Sequence, residues 1–195
     1  MRIIIIFLLL NQFLNGQILS YDLLETWSKN EVNTLYNEYG IPASTGEVNY
    51  AVEGYKVTYL TPDYNNELVL CSGAIFIPSN IECPPPILSW QHGTEPNDEG
   101  APSNVGNSYN DLIGVIGAAQ GYIVTMSDFI GLGEGEGIQN YVHAKTEATA
   151  TIDLILYTKE LVLEIMNTPT NDQLFLFGYS QGGHATMATV KEIQA

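Results

Sequence analysis

The sequence has 195 residues, of which 45% are hydrophobic and 14% are charged, a profile typical of a globular domain rather than of a disordered or fibrous chain. Its 22 acidic and 6 basic side chains give a formal net charge of −16. Because this charge repels nucleic-acid phosphates and anionic membrane surfaces alike, we expect no nucleic-acid partner.

The amino-terminal residues have the pattern of a secretory signal peptide. Arg2 supplies a positive charge, residues 3–10 form an unbroken apolar run, and polar residues follow. A membrane span needs about 18 apolar residues, which is more than this run provides. We expect a signal peptide over residues 1–16, with cleavage after Gly16 or as late as Ser20. The mature protein would then be secreted or extracytoplasmic, without an integral membrane span; an uncleaved short anchor is the alternative.

Residues 17–50 are predicted to form a lead-in to the main body. Their apolar side chains between Tyr21 and Gly46 recur loosely at helical spacing, which predicts a helical capping element. Residues 53–60 and 67–77 are two β-rich runs, and a Pro-Asp-Tyr-Asn-Asn segment between them is typical of a turn. This pattern predicts an antiparallel hairpin.

The rest of the chain alternates apolar strands with helices. Strands are predicted at 87–90, 122–126 and 174–177, and helices at 108–120, at 145–166 and from 182 onward. Ser108 is the candidate N-cap of the first of these helices and Gly121 its candidate C-cap. The order predicts an α/β fold, with a mostly parallel sheet, an antiparallel start and helices on both faces.

Polar residues follow each of the predicted parallel strands. They are His92-Gly93-Thr94, Ser127-Asp128 and Ser180. Because the carboxyl ends of parallel strands meet at one edge of a sheet, we expect these three segments to converge on one rim.

The segment Gly178-Tyr179-Ser180-Gln181-Gly182 fits the GxSxG pattern of a nucleophile elbow. Glycines at its ends allow a buried strand to reverse sharply into a helix, which exposes the serine hydroxyl. The serine then lies at a helix amino terminus, where free N–H groups favour developing negative charge. Ser180 is therefore the candidate nucleophile, and an ordinary strand-to-helix turn is the alternative.

Acyl transfer at Ser180 would need two oxyanion donors. In such an arrangement one is the N–H of the residue after the nucleophile, here Gln181, and the other comes from the loop after the third strand. Gly93 lies in that loop and lets the backbone turn, so that the N–H of Thr94 is the candidate second donor.

The sequence offers Ser180 no evident acid or base. The triad order in this kind of fold is Ser, then Asp or Glu, then His. His92 and His143 precede the serine, and His184 follows by one helical turn, so we expect it to pack or cap. Glu192 is the only later acidic residue and is too close in sequence to serve.

Metal and nucleotide sites are not expected. The three histidines are 51 and 41 residues apart, which matches no common metal motif. The glycine-rich segment 131–137 misplaces the third glycine of a dinucleotide loop, and we interpret it as a flexible rim loop. Cys71 and Cys83 are too few for a zinc site, and a disulfide between them stays open.

Four short blocks together resemble the secreted lipase and esterase branch of the α/β-hydrolase superfamily, and the chain is similar to bacterial relatives of fungal secretory lipases. The blocks are residues 89–94, 127–133, 141–148 and 178–183. The resemblance implies hydrolysis of small-molecule or lipid esters through an acyl-enzyme, without a cofactor. It implies Ser180 as nucleophile, Gln181 and Thr94 as oxyanion donors, and Asp128 as a rim residue.

The family pattern also contains a carboxyl-terminal half with the remaining strands, a substrate cap, the acid and the histidine. We therefore expect residues 51–195 to be the amino-terminal part of such a domain and the chain to be a fragment. A serine peptidase or acyl-transferase on the same fold, and a non-catalytic hydrolase-like protein, are the alternatives. We also expect strand 174–177 to form an apolar sheet edge.

Overall fold

The computed structural model describes residues 18–195; the predicted signal peptide and its cleavage point after Gly16 lie outside them. The strands are β1 (Ile18–Trp27), β2 (Val52–Pro62), β3 (Leu68–Pro78), β4 (Ile87–Gln91), β5 (Ile123–Ser127) and β6 (Leu174–Gly178). The α-helices are α1 (Lys29–Glu38), α2 (Asp111–Ala119), α3 (Ala144–Met166) and α4 (Gln181–Ile193). Short 3₁₀ turns lie at Ala43–Thr45 and Asp98–Gly100.

All six strands form one mixed sheet in the order β1-β2-β3-β5-β4-β6. β1, β2 and β3 pair antiparallel, β3 pairs antiparallel with β5, and β4 is parallel to both β5 and β6. The predicted hairpin is confirmed, and its turn is stabilised by Asp63, whose Oδ1 accepts the N–H groups of Asn65 and Glu67. The predicted α/β fold with an antiparallel start is likewise confirmed.

Helices cover both faces of the sheet because alternate strand residues point to opposite sides. Ile75 and Ile77 of β3 join a buried cluster with residues of α3 and with Ala185 of α4. Ala74 and Phe76, their neighbours in the same strand, join a second cluster with residues of α1 and α2. The sheet is thus held between two apolar layers.

The lead-in differs from its prediction. Residues 18–27 form strand β1, and only Lys29–Glu38 is helical. Strand β1 pairs with β2 and so adds an edge strand to the sheet of the main body. The side chains of β1 are almost all exposed at the sheet edge, which explains why its apolar residues lack the alternation of a half-buried strand. Helix α1 begins at a capping box between Ser28 and Glu31.

The caps predicted for α2 are each displaced. Ser108 is not the N-cap: the helix begins at Asp111 with Asn110 before it, and Ser108 Oγ accepts the N–H of Asn110 instead. The C-cap is Gln120, and Gly121 lies one residue beyond it with φ of 101°. A short serine turn therefore precedes the helix rather than capping it.

Strand β6 lies at one edge of the sheet, as expected. Phe175 and Phe177 of this strand are 47% and 37% exposed, and Phe177 contacts Trp90 of β4 at 4.7 Å between ring centroids. Cys71 is buried in β3 and Cys83 is exposed, and the two do not form a disulfide. Among residues 18–195, no helix is both long and apolar enough to span a bilayer.

Candidate active site

Ser180 lies between the end of β6 and the first residue of α4, with φ of 57° and ψ of −119°. This backbone region is costly for a residue with a Cβ atom, so the surrounding structure must hold it there. The side chain of Ser180 is exposed and makes no capping hydrogen bond to α4. Its hydroxyl is therefore accessible from solvent.

The glycines at both ends of the elbow are required by close packing. A Cβ atom on Gly182 would lie 1.8 Å from the carbonyl oxygen of Gln91, and one on Gly178 would lie 2.3 Å from the carbonyl oxygen of Gly182. Both obstacles are backbone atoms, which cannot rotate away. The strand-to-helix reversal at Ser180 thus depends on the absence of side chains at these two positions.

Helix α4 presents one unpaired N–H group beside Ser180, that of Gln181, among the described residues. The N–H of Gly182 donates to the carbonyl oxygen of Tyr179, and that of Gly183 to the carbonyl oxygen of Ser180. The N–H of Gln181 makes no hydrogen bond with any residue from 18 to 195. It remains available to an oxygen bound next to Ser180, at the positive end of the helix dipole.

The loop after β4 lies directly against the elbow. A Cβ atom on Gly93 would lie 3.5 Å from Tyr179 Cδ1 and 3.9 Å from Ser180 Cβ. Thr94 follows, exposed, with its hydroxyl donating to Tyr141 Oη at 3.4 Å; its N–H makes no hydrogen bond within the described chain. The structure thus brings the two candidate oxyanion donors to the same rim as Ser180.

His92 is a structural residue of the loop after β4. Its ring is fully buried against Phe129, and its Nδ1 and Nε2 lie 2.6 Å from the carbonyl oxygen of Gly93 and 3.2 Å from that of Asp128. Burial lowers the pKa of His92, so the imidazole is neutral and donates to one of these carbonyls. His92 thus links the loop after β4 to the loop after β5.

The other two histidines also have partners away from the serine hydroxyl. His143 is the N-cap of α3, where its Nδ1 accepts the N–H of Thr146. The Nδ1 of His184 lies 2.6 Å from Glu147 Oε2, and the hydrogen bond between His184 and Ser180 joins backbone N and O at 3.4 Å. Within residues 18–195, no histidine is placed as the base of a triad.

Asp128 occupies a different place from the rim position predicted for it. Its side chain is fully buried and accepts hydrogen bonds from Ser72 Oγ at 2.5 Å and from the N–H of Ser103 at 2.8 Å. Burial raises the pKa of Asp128 to about 6, against the lowering effect of these donors. The residue anchors the loop beneath the rim and does not face Ser180.

The glycine-rich segment 131–137 is tied down rather than free. The N–H of Gly133 donates to Asp98 Oδ1, that of Glu134 to Ser72 Oγ, and that of Glu136 to the carbonyl oxygen of Leu70. Glu134 also pairs with Lys56. Among residues 18–195, no group of three or more His, Cys, Asp or Glu side chains could hold a metal ion.

Glu147 lies in the block 141–148 that carries the resemblance, but the sequence assigned it no role. It is 1% exposed on α3, and its carboxylate accepts hydrogen bonds from Gln181 Nε2, from His184 Nδ1 and from the N–H of Val142. A further signal in the sequence is an acidic residue between the small residues Thr146 and Ala148, in a helix predicted to be buried on one side. A partner for it could not be inferred.

Solved structures share this fold. A hydrolase from Legionella pneumophila superposes with a TM-score of 0.82 at 29% identity, over 91% of this chain and 47% of that one. The ligand-bound form of the rice cell wall degrading esterase LipA from Xanthomonas oryzae gives 0.80 at 30% identity, over 91% and 46%. Candida antarctica lipase A in its closed state, at 22% identity and a TM-score of 0.60 over 92% and 38%, shares the fold alone.

In sequence, the chain is similar to Lipase A from Moesziomyces aphidis, at 27% identity over 75% of this chain and 32% of that protein. No family model matches the chain. The chain spans just under half the length of the two more similar solved relatives and about a third of that Lipase A. The predicted resemblance to lipases and esterases with an α/β-hydrolase fold is confirmed.

Proposed function

We propose that this chain, whose fold is that of the α/β-hydrolases, carries at Ser180 the nucleophile of a carboxylic-ester hydrolase of lipase or esterase type. The observation that carries the proposal is the strained, exposed conformation of Ser180 between β6 and α4, next to the unpaired N–H of Gln181. Lipases and esterases among the relatives support ester hydrolysis as the reaction class.

The reaction would proceed through an acyl-enzyme. Ser180 Oγ attacks the ester carbonyl carbon while its proton passes to a general base, and the N–H groups of Gln181 and Thr94 bind the oxyanion of the tetrahedral intermediate. Collapse breaks the ester C–O bond, and the base returns the proton to the leaving alcohol. Water then attacks the acyl-enzyme in the same manner and releases the acid.

The relatives are longer than this chain. We place the acid and the histidine base in the part of the natural protein that corresponds to the rest of their length. We do so because His92, His143 and His184 are each hydrogen-bonded to groups other than the Ser180 hydroxyl. Their partners leave the Ser180 hydroxyl without a base among residues 18–195. On this view the described chain supplies the nucleophile and the oxyanion donors.

A fluorophosphonate probe, applied to the full-length natural protein, tests the nucleophile. The probe should label the wild type and a Ser44→Ala control, in which an exposed serine outside the site is changed. Ser180→Ala should abolish labelling and lower kcat/KM for p-nitrophenyl esters at least ~10³-fold, as expected when a nucleophile is removed. Labelling that persists in Ser180→Ala would refute the assignment.

The same assay separates ester hydrolysis from the peptidase alternative, which shares the elbow. We expect turnover of p-nitrophenyl esters and none of peptide anilides. Activity on the anilides at a comparable kcat/KM would favour a peptidase instead.

We further propose that the protein is exported, on the strength of the charged and apolar pattern of its first residues. Strand β1 begins at Ile18, so cleavage after Gly16 would leave it whole. Cleavage after Ser20 would remove a residue whose Oγ is hydrogen-bonded to Thr58 Oγ1 at 2.7 Å in β2. The earlier of the two predicted cleavage points is therefore the one we favour.

A further inference from the structure

A buried carboxylate links the elbow helix to the helix behind it. Glu147 of α3 is 1% exposed, and Oε1 accepts from Gln181 Nε2 at 2.8 Å while Oε2 accepts from His184 Nδ1 at 2.6 Å. A buried acidic side chain is retained only where donors compensate for its lost hydration. Both of these donors belong to the first turn of α4, so one carboxylate fixes that turn at two points.

The residue held most directly is Gln181, whose N–H is the proposed oxyanion donor. Its side chain is buried, and Nε2 is engaged by Glu147. Because Gln181 follows Ser180 directly, a rotation of its backbone would move both the N–H and the nucleophile. The bond to Glu147 opposes that rotation.

The third hydrogen bond reaches the other side of the rim. The N–H of Val142 donates to Glu147 Oε1 at 3.0 Å, and Val142 has φ of 55°, a left-handed conformation that β-branched residues strongly disfavour. Tyr141, the preceding residue, receives the hydroxyl hydrogen bond of Thr94 at 3.4 Å. The carboxylate therefore also holds the segment that contacts the second proposed donor.

We infer that Glu147 is a positioning residue of the proposed oxyanion hole. Its single carboxylate holds Gln181 on one side and the Tyr141-Val142 segment, and through it Thr94, on the other. The inference rests on the proposed function of Ser180. It assigns Glu147 no contact with substrate.

Two substitutions in the full-length protein test the role. Glu147→Gln keeps an acceptor for Val142 and Gln181, and its amide can donate to a neutral His184 imidazole, so we expect kcat within ~3-fold of wild type. Glu147→Leu keeps the volume and removes every acceptor. We expect kcat to fall ~10²-fold, the effect of losing one oxyanion donor, with KM within ~3-fold because substrate binding is unchanged.

Controls separate positioning from folding. Glu160→Gln removes a charge from an exposed position of the same helix and should leave both constants unchanged. His184→Ala removes only one of the three donors to Glu147, and its own side chain is 37% exposed, so this variant should fold even if Glu147→Leu does not. We expect kcat to fall ~10-fold with KM unchanged.

The outcomes distinguish the inference from the function beneath it. Unchanged kcat in both Glu147→Leu and His184→Ala, with Ser180→Ala inactive, would overturn the positioning role alone. A matching loss in Glu147→Gln and Glu147→Leu would also overturn it, because the retained acceptor would then have no effect. Full activity in Ser180→Ala would overturn the proposed function and the inference together.

Discussion

Adjacent glycines at the start of α4 offer a matched pair of substitutions for testing the elbow. A Cβ atom on Gly182 would lie 1.8 Å from the carbonyl oxygen of Gln91 and 2.6 Å from that of His92. A Cβ atom on Gly183 would find its nearest neighbour, the carbonyl oxygen of Gly178, at an ordinary 3.8 Å. Alanine at 182 must therefore push α4 away from the end of β4 by roughly 1 Å or more, since carbon and oxygen need about 3 Å.

The expected difference in stability follows from two opposing effects. Both alanines gain about 0.5–1 kcal/mol of helix propensity over glycine. Overpacking costs about 1–3 kcal/mol, and Gly182→Ala lies at the upper end because the obstacle is backbone. The helix gain is common to both variants, so we expect Gly182→Ala to be about 3 kcal/mol less stable than Gly183→Ala.

Urea unfolding followed by circular dichroism measures this difference, and fluorophosphonate labelling measures its effect at Ser180. A displacement of about 1 Å should slow labelling ~10²-fold in Gly182→Ala and leave Gly183→Ala near wild type. Equal unfolding midpoints and equal labelling rates in the two variants would refute the close packing of the elbow against β4.

Two further outcomes are expected. Burial raises the pKa of Asp128 from 3.8 to about 6, so its contribution to the free energy of unfolding is complete below pH ~4 and is lost as pH rises through 6. Relative to Asp128→Asn, which keeps the acceptor for Ser103, the free energy of unfolding of the wild type should fall by about 3 kcal/mol between pH 4 and pH 8. Urea unfolding at each pH measures this change, and the same pH dependence in both proteins would contradict it. Amino-terminal sequencing of the exported protein should give Gln17 as its first residue, and Met1 as the first residue would contradict cleavage.

The hairpin and the parallel strands could be predicted because strands that are buried on both faces appear in the sequence as continuous apolar runs. β3 alternates between two buried faces, with Ile75 and Ile77 on one and Ala74 and Phe76 on the other, between recognisable turns. β1 could not be predicted in the same way. Its side chains are mostly exposed, so its strand conformation comes from pairing with β2 and leaves no alternation to detect.

A similar distinction separates the two parts of the candidate site. The elbow could be predicted because five consecutive residues encode it, and Gly178 and Gly182 are needed for contacts within the turn or with the adjoining strand. Glu147 and His184 are 37 residues apart, and they meet only because α3 and α4 pack together through small buried residues such as Ala150 and Ala185. Small residues such as Ala185 indicate close approach of two helices without saying which polar group lies opposite. A strand-to-helix elbow can thus be predicted from local sequence, whereas the side chains that contact it from another helix depend on the packing of two helices and require the structure.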